Sequence, residues 1–137
     1  YRAYKTTVHN LHLYNDVVEL GYVRRTDLPY IYNASLCLAF PSIYEGFGIP
    51  AVEALACGIP VICSMKGGLQ EATGGLAFYI SLDSEEELAT AILNIIEDSE
   101  LRYTFKVKGP EWTKENTWST YAYKIAQLYN TIEKELF

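Results

Sequence analysis

Four short apolar segments, separated by helix-like stretches, constrain the fold more than any other feature of the sequence. They are VVELGYV (17–23), LCLAF (36–40), PVICS (60–64) and LAFYI (76–80). Each is nearly continuous in apolar residues and rich in β-branched or aromatic side chains, a pattern typical of strands buried on both faces of a parallel sheet. We therefore predict an α/β fold, a Rossmann-like three-layer sandwich in which helices cover both faces of a parallel sheet.

The stretches between the strands carry the start and stop signals of helices. The predicted helices cover 26–35, 50–58 and 84–98. Pro50 and Gly58 are the residue types expected at the start and just past the end of a helix. Ser84 is an N-cap candidate, with Glu87 at the capping-box position.

The end of the chain differs, since two further helices, 99–109 and 119–137, follow with no strand between them. We predict that they close the domain at its C-terminus. Residues 1–14 are compatible with the end of a preceding helix. Four strands are few for this kind of sheet, and the chain begins at Tyr1. We therefore predict a single domain, 1–137, that is the second part of a larger one.

The segment PSIYEGFGIP (41–50) follows the second predicted strand and precedes a helix. In open α/β sheets, ligands bind beyond the carboxyl ends of the strands. Gly46 and Gly48 allow peptide N–H groups to approach a ligand closely. The helix that starts near Pro50 directs the positive end of its dipole to the same place, which favours phosphate.

Two carboxylates, Glu45 and Glu53, bracket this turn. A carboxylate accepts hydrogen bonds from the paired hydroxyls of a sugar or a ribose. The loop can curl so that both face one pocket, which would suit a nucleotide sugar. An ordinary strand-to-helix turn, with Glu53 complementing the helix dipole, explains the same residues equally well.

The segment EGFGIPAVEALACGIPVI resembles the Glu-x7-Glu signature of the retaining glycosyltransferases of group 1, which have the GT-B fold. The matching positions are Pro41, Ser42, Glu45, Gly46, Phe47, Gly48, Pro50, Glu53, Ala54, Ala56, Gly58, Pro60 and Val61. The resemblance extends from about residue 17 to about residue 130. It implies the donor-binding C-terminal domain of such an enzyme, truncated and without the N-terminal acceptor domain.

The resemblance also implies roles for individual residues. Glu45 would be the catalytic residue, in contact with the transferred hexose near its anomeric centre, and Glu53 would bind the ribose hydroxyls. The residues implied to bind the donor are Tyr22, Val23, Gly46, Phe47, Gly48, Ile49 and Glu53. Tyr22 and Val23 would lie against the base, and the backbone from Gly46 to Ile49 would hold the sugar and the diphosphate.

The implied substrate is a sugar linked to UDP, GDP or ADP, transferred with retention of configuration. The resemblance implies no cofactor and no bound metal. The family's basic pair, which neutralises the diphosphate, would lie upstream of Tyr1. The loop GGLQEATGG (67–75) keeps Glu71 and Gly74 of the family pattern but has Gln70 in place of a usual proline.

Composition narrows the function further. The formal net charge is −6 and no cluster of Lys and Arg stands out, which disfavours nucleic-acid binding. Cys37, Cys57 and Cys63 lie in apolar segments, where cysteine packs as a small hydrophobe. We expect a reducing, cytoplasmic compartment, and peripheral association of the full-length enzyme with a membrane stays open.

Two other functions remain as alternatives. A non-catalytic nucleotide-binding or interaction module could share the fold, although a decayed site has no reason to keep both carboxylates. A sugar-nucleotide epimerase or a phosphorylase is disfavoured by the length of the match. Outside the loop, we predict that Trp118 packs in the core and that His9 and His12 form a surface pair.

Overall fold

A three-stranded parallel sheet forms the centre of the computed structural model, which describes residues 2–136 and the side chains of residues 3–133. Its strands are β1 (Leu38–Phe40), β2 (Val61–Ser64) and β3 (Phe78–Ile80), in the order β1-β2-β3. Leu38 pairs with Val61, and Ile62 pairs with Phe78, both in parallel register. The strands predicted at 36–40, 60–64 and 76–80 are therefore confirmed, with shorter bounds.

Seven helices surround this sheet within the described residues. They are α1 (Arg2–Asn10), α2 (Leu28–Ala34), α3 (Ile49–Ala56), α4 (Leu69–Thr73), α5 (Glu85–Glu97), α6 (Ser99–Glu115) and α7 (Trp118–Leu136). The predicted helices are confirmed, and α1 occupies the segment whose structure the sequence left open. The predicted last residue of α7, Phe137, lies outside the described residues. Ser84 caps α5, since its Oγ accepts from Glu87 N at 3.1 Å.

Alternating side chains of β2 enter two different cores. Val61 and Cys63 pack with Leu55 of α3 and Phe105 of α6. Ile62 packs on the opposite face, where buried residues of β3 and α5 complete a second cluster. Because helices cover both faces of β2, the predicted three-layer arrangement is confirmed.

The strand predicted at 17–23 is wrong. This segment belongs to neither a helix nor a strand, and Val18 and Tyr22 are 77% and 92% exposed. Gly21 has φ +62°, a left-handed conformation that interrupts the extended backbone of a strand. An apolar sequence alone does not make a strand, because its backbone N–H and C=O groups also need a neighbouring strand to pair with.

Helix α6 continues six residues beyond its predicted end at Gly109, through Pro110 to Glu115. Gly109 is buried, and a Cβ built on it would overlap the carbonyl oxygen of Leu55 in α3. The glycine therefore lets two helices touch backbone to backbone, rather than ending one of them. Packing against α3 keeps α6 helical despite the hydrogen bond that Pro110 removes.

The two tryptophans lie in different environments. Trp118 is 81% exposed, so the prediction that it packs in the core is wrong. Trp112 of α6 packs against the first cluster instead, and its Nε1 donates to Ala72 O of α4 at 3.0 Å. Helix α4 itself was not predicted. His9 and His12 are exposed as expected, although His12 lies beyond the end of α1.

The contact between α3 and α6 gives a stability prediction. We expect Gly109→Ala to lower the free energy of unfolding by about 2 kcal/mol, because the overlap with Leu55 O outweighs the helix propensity of alanine, which is worth about 1 kcal/mol. Urea denaturation measures the change. Lys108→Ala, on the exposed face of the same helix, should stay within about 0.5 kcal/mol of the wild type. A stabilised Gly109→Ala variant would show that the two backbones are not held this close.

Candidate functional site

The loops that follow β1 and β2 contact each other through their backbones. Gly68 N donates to Glu45 O at 2.9 Å. A Cβ on Gly67 would overlap Glu45 O, and a Cβ on Gly68 would overlap Gly46 O. Both loops leave the carboxyl ends of adjacent parallel strands, the edge where ligands bind in open α/β sheets. The contact therefore fixes the backbone of the predicted site.

Gly48 is the N-cap of α3 and has φ +91°, in the left-handed region. A Cβ there would also overlap the side chain of Leu69. Gly46 differs, since its Cβ position faces open space, with nothing within 4 Å. Within the described residues no side chain caps this end of α3. Pro50 has no N–H and Ala51 N donates to Gly48 O at 3.0 Å, so the amide of Ile49 and the positive dipole end of the helix can receive an anion beside Gly46.

Glu45 is held by a chain of two serine hydroxyls. Ser42 Oγ donates to Glu45 Oε1 at 2.9 Å. Ser64, the buried last residue of β2, donates through its Oγ to the carbonyl oxygen of Ser42. The half-buried carboxylate of Glu45 is thus tied to the central strand of the sheet, although Glu45 itself lies in a loop.

Glu53 is held by a phenol from another helix. Tyr32 Oη of α2 donates to Glu53 Oε2 of α3 at 3.2 Å. Burial, followed by the negative charge of Glu53 and this hydrogen bond, raises the pKa of Tyr32 to about 12. The phenol is therefore protonated at neutral pH and acts as the donor to the carboxylate.

A groove of about 710 Å³ lies between α3 and the start of α7. Three predicted site residues line it, namely Phe47, Ile49 and Glu53, and Arg25 and Tyr121 line it as well. The rings of Phe47 and Tyr121 meet edge to face, with centroids 6.3 Å apart. The C-terminal helix therefore contacts the same loop that carries the glycines.

The remaining predicted residues are placed differently. The residues that line the groove do not include Glu45 or Gly46, and both lie instead where the two strand-end loops meet. Tyr22 is 92% exposed, so its ring does not belong to a formed pocket. Val23 is half-buried. The structure thus brings the glycine loop and α3 together and leaves the segment around Tyr22 open to solvent.

Several contributing residues had no predicted role. Ser42 was noted only as a position that matches the family pattern, Tyr32 lies within the longer stretch of resemblance, and Ser64 was not singled out. A hydroxyl at the carboxyl end of a buried strand is a signal that could have indicated Ser64. The glycine pair 67–68, directly after a strand, could have indicated a close backbone approach. No spacing in the sequence connects Tyr32 with Glu53.

The three cysteines are placed as packing residues rather than as reactive thiols. Burial raises the pKa of Cys63 to about 11, and it also raises the pKa of Cys37 and of Cys57. These thiols are protonated at neutral pH and suit packing better than nucleophilic attack.

No three of the described His, Cys, Asp and Glu side chains converge as metal ligands. None of the described helices is long and apolar enough to cross a membrane.

The fold and the loops define an α/β domain whose candidate ligand site lies at the carboxyl ends of a parallel sheet. Comparison with known proteins identifies its family. The profile of the family described as "Glycosyl transferases group 1" matches residues 2–112. The chain therefore belongs to the group 1 glycosyl transferases.

Individual relatives agree with this assignment. The chain is 33% identical over 113 residues to the O-antigen chain mannosyltransferase B of Escherichia coli, covering 82% of this chain and 30% of that protein. It is 32% identical over 107 residues to the D-inositol 3-phosphate glycosyltransferase of Corynebacterium glutamicum (strain R), covering 77% of this chain and 26% of that protein. The chain therefore spans about a third or less of the length of these relatives.

A solved structure shows the same fold. The sucrose-phosphate synthase from Thermosynechococcus elongatus superimposes with a TM-score of 0.82 and 30% sequence identity, over 98% of this chain and 34% of that one. This likeness confirms the predicted GT-B-type α/β fold with its C-terminal helices.

The hydrogen bond between Tyr32 and Glu53 predicts a pH dependence of stability. The folded-state pKa of Tyr32, about 12, lies above the ordinary value of 10.0. Between these values the unfolded chain has released the proton that the folded chain still holds, so stability falls as pH rises from 10 to 12. We expect the wild type to lose more free energy of unfolding over this range than Tyr32→Phe does.

The comparison of the two proteins cancels the contributions of all other ionisable groups. Urea denaturation at several pH values gives the free energies. The phenolate absorbance near 295 nm supplies a control. The difference between the wild-type and Tyr32→Phe absorbance curves should rise near pH 12. A difference that rises near pH 10 would contradict the hydrogen bond.

Proposed function

We propose that this chain forms the nucleotide-sugar-binding part of a retaining glycosyltransferase, which in a longer protein transfers a hexose to an acceptor. One observation carries the proposal. Glu45 and Glu53, each fixed by a hydroxyl donor, flank a helix N-terminus that no described side chain caps. The names of the relatives, a mannosyltransferase and a glycosyltransferase, support the reaction class.

In this proposal the diphosphate lies at the N-terminus of α3. The backbone from Gly46 to Ile49 contacts the sugar and the phosphates, and the open space beside Gly46 receives them. Glu45 contacts the sugar near its anomeric centre and positions it as the glycosidic bond breaks. Negative charge then develops on the departing diphosphate, where the helix dipole and the amide of Ile49 stabilise it. No bound metal takes part.

Glu53 accepts hydrogen bonds from the ribose hydroxyls, and the base lies near Tyr22 and Val23. The donor is a UDP-, GDP- or ADP-linked sugar. The acceptor binds to a separate N-terminal domain of the longer protein, which acts in the cytoplasm and can associate peripherally with a membrane. The negative net charge of the chain, −6, makes nucleic acid an unsuitable partner.

A ¹⁵N NMR titration of the chain with UDP, GDP and ADP tests donor binding. We expect amide shifts in 21–23 and 45–53 with at least one nucleotide. Glu53→Gln should weaken that binding roughly tenfold, because a hydrogen bond to a charged acceptor is stronger than one to a neutral acceptor. Glu111→Gln, an exposed glutamate on α6, is the matched control and should bind as the wild type does.

The absence of shifts with every nucleotide, even at millimolar concentration, would contradict a donor site in this chain. Shifts that Glu53→Gln leaves unchanged would contradict the role of Glu53 alone. For the complete protein, a product of inverted configuration would contradict retention.

The two glycines of the loop should respond differently to alanine. Gly46→Ala has room for its methyl group in the folded protein, so we expect stability within about 0.5 kcal/mol of the wild type and a loss of nucleotide binding. Gly48→Ala should cost at least about 1–2 kcal/mol of stability, because its φ is +91° and its Cβ overlaps Leu69. Urea denaturation and the same NMR titration measure both effects. A Gly46→Ala protein that binds nucleotide normally would show that no ligand occupies this space.

A further inference from the structure

We propose that Tyr32 is a positioning residue for ribose recognition, because its hydroxyl holds the carboxylate of Glu53 in the orientation that receives the ribose hydroxyls. The inference rests on the proposed function and deepens it by assigning a residue to the same site. Tyr32 would not touch the ligand. It would act through Glu53.

The geometry separates this contact from a local turn. Tyr32 and Glu53 are 21 residues apart in the sequence and lie on different helices, α2 and α3, yet Oη and Oε2 are 3.2 Å apart. The contact of Ser42 with Glu45, in comparison, joins residues three positions apart in one loop. The pairing of Tyr32 with Glu53 therefore depends on how α2 packs on α3.

The ring of Tyr32 is anchored, and so is its hydroxyl. It packs against the buried cluster that includes Ala54 and Leu55 of the same helix α3. A tyrosine side chain has only two rotatable bonds before its ring, so an anchored ring leaves its hydroxyl little freedom. The position of the donor relative to Glu53 is thus set by the core rather than by solvent.

A glutamate has three rotatable bonds and loses much rotamer freedom when a ligand immobilises it. The hydrogen bond from Tyr32 restricts this freedom before any ligand arrives, which favours binding by preorganisation. It occupies one site on Oε2 and leaves Oε1 and the remaining lone pairs as acceptors. Two adjacent ribose hydroxyls require acceptors arranged in this way.

The test compares ribonucleotides with their 2′-deoxy forms. The probes are UDP, GDP and ADP and the 2′-deoxy form of each, titrated by NMR into the wild type, Tyr32→Phe and Tyr30→Phe. Tyr30 lies on the same helix and is 77% exposed, so Tyr30→Phe is the matched control. The measured quantity is the ratio of the two dissociation constants, deoxy over ribo, for each protein.

We expect a ratio of roughly tenfold in the wild type and in Tyr30→Phe, the size of one hydrogen bond to a charged group. In Tyr32→Phe the ratio should fall to about two- to threefold, because Glu53 is no longer held for the hydroxyl. A purely structural role would weaken both nucleotides equally and leave the ratio unchanged. This readout is therefore specific to positioning.

The outcomes separate the two proposals. A wild-type ratio that persists in Tyr32→Phe overturns the role of Tyr32 and leaves the donor site intact. If no nucleotide binds to the wild type, the proposed function of this chain falls, and the inference falls with it.

If circular dichroism shows that Tyr32→Phe does not fold, wild-type protein labelled with ¹³C at tyrosine Cζ decides. The Tyr32 resonance should move more with the ribonucleotide than with its deoxy form. Equal movement overturns the inference.

Discussion

The placement of helix α3 is the constraint on which the rest of the structure depends. Its residues Ala51, Ala54 and Leu55 are fully buried. The side chain of Leu69 closes over Gly48 at its N-terminal end, and the backbone of α6 lies against Leu55. At Gly109 no side chain separates α3 from α6, and Leu69 joins the start of α3 to α4. Helix α3 therefore cannot move without moving α4 and α6. The N-terminus that can receive an anion and Glu53 both belong to this helix, and the packing of the helix sets their positions.

Much of the fold could be predicted because burial leaves a direct record in the sequence. A strand covered on both faces must be apolar throughout, and 60–64 has this pattern and is fully buried as β2. The segment 17–23 has the same pattern without a pairing strand, so the pattern alone was misleading. Gly109 and Pro110 also follow a local rule for helix ends, but the contact of α6 with α3 overrides it.

Only part of the candidate site could be predicted from the sequence, for a related reason. Glu45, Glu53 and the glycines lie within nine residues and match one motif, so sequence reasoning could group them. The partner of Glu53, Tyr32, comes from α2, and Ser64 at the end of β2 holds Ser42, the partner of Glu45. Only the topology brings these residues together. Hydrogen bonds between distant elements leave no periodicity, and a single sequence does not reveal them.

The hydrogen bonds of Ser64 and Ser42 connect Glu45 with the fully buried strand β2, the kind of element that opens most slowly in a folded protein. Ser64 ends β2, and the residues of that strand are at most 1% exposed. Backbone amides in such a strand exchange their hydrogens through global unfolding, whereas loops normally open by small local fluctuations. Ser64 holds Ser42, and Ser42 holds Glu45. The loop is therefore hydrogen-bonded to a strand that opens only when the whole protein unfolds. The carboxylate of Glu45 should therefore keep its position for longer than an ordinary loop side chain does, while it remains within reach of a ligand.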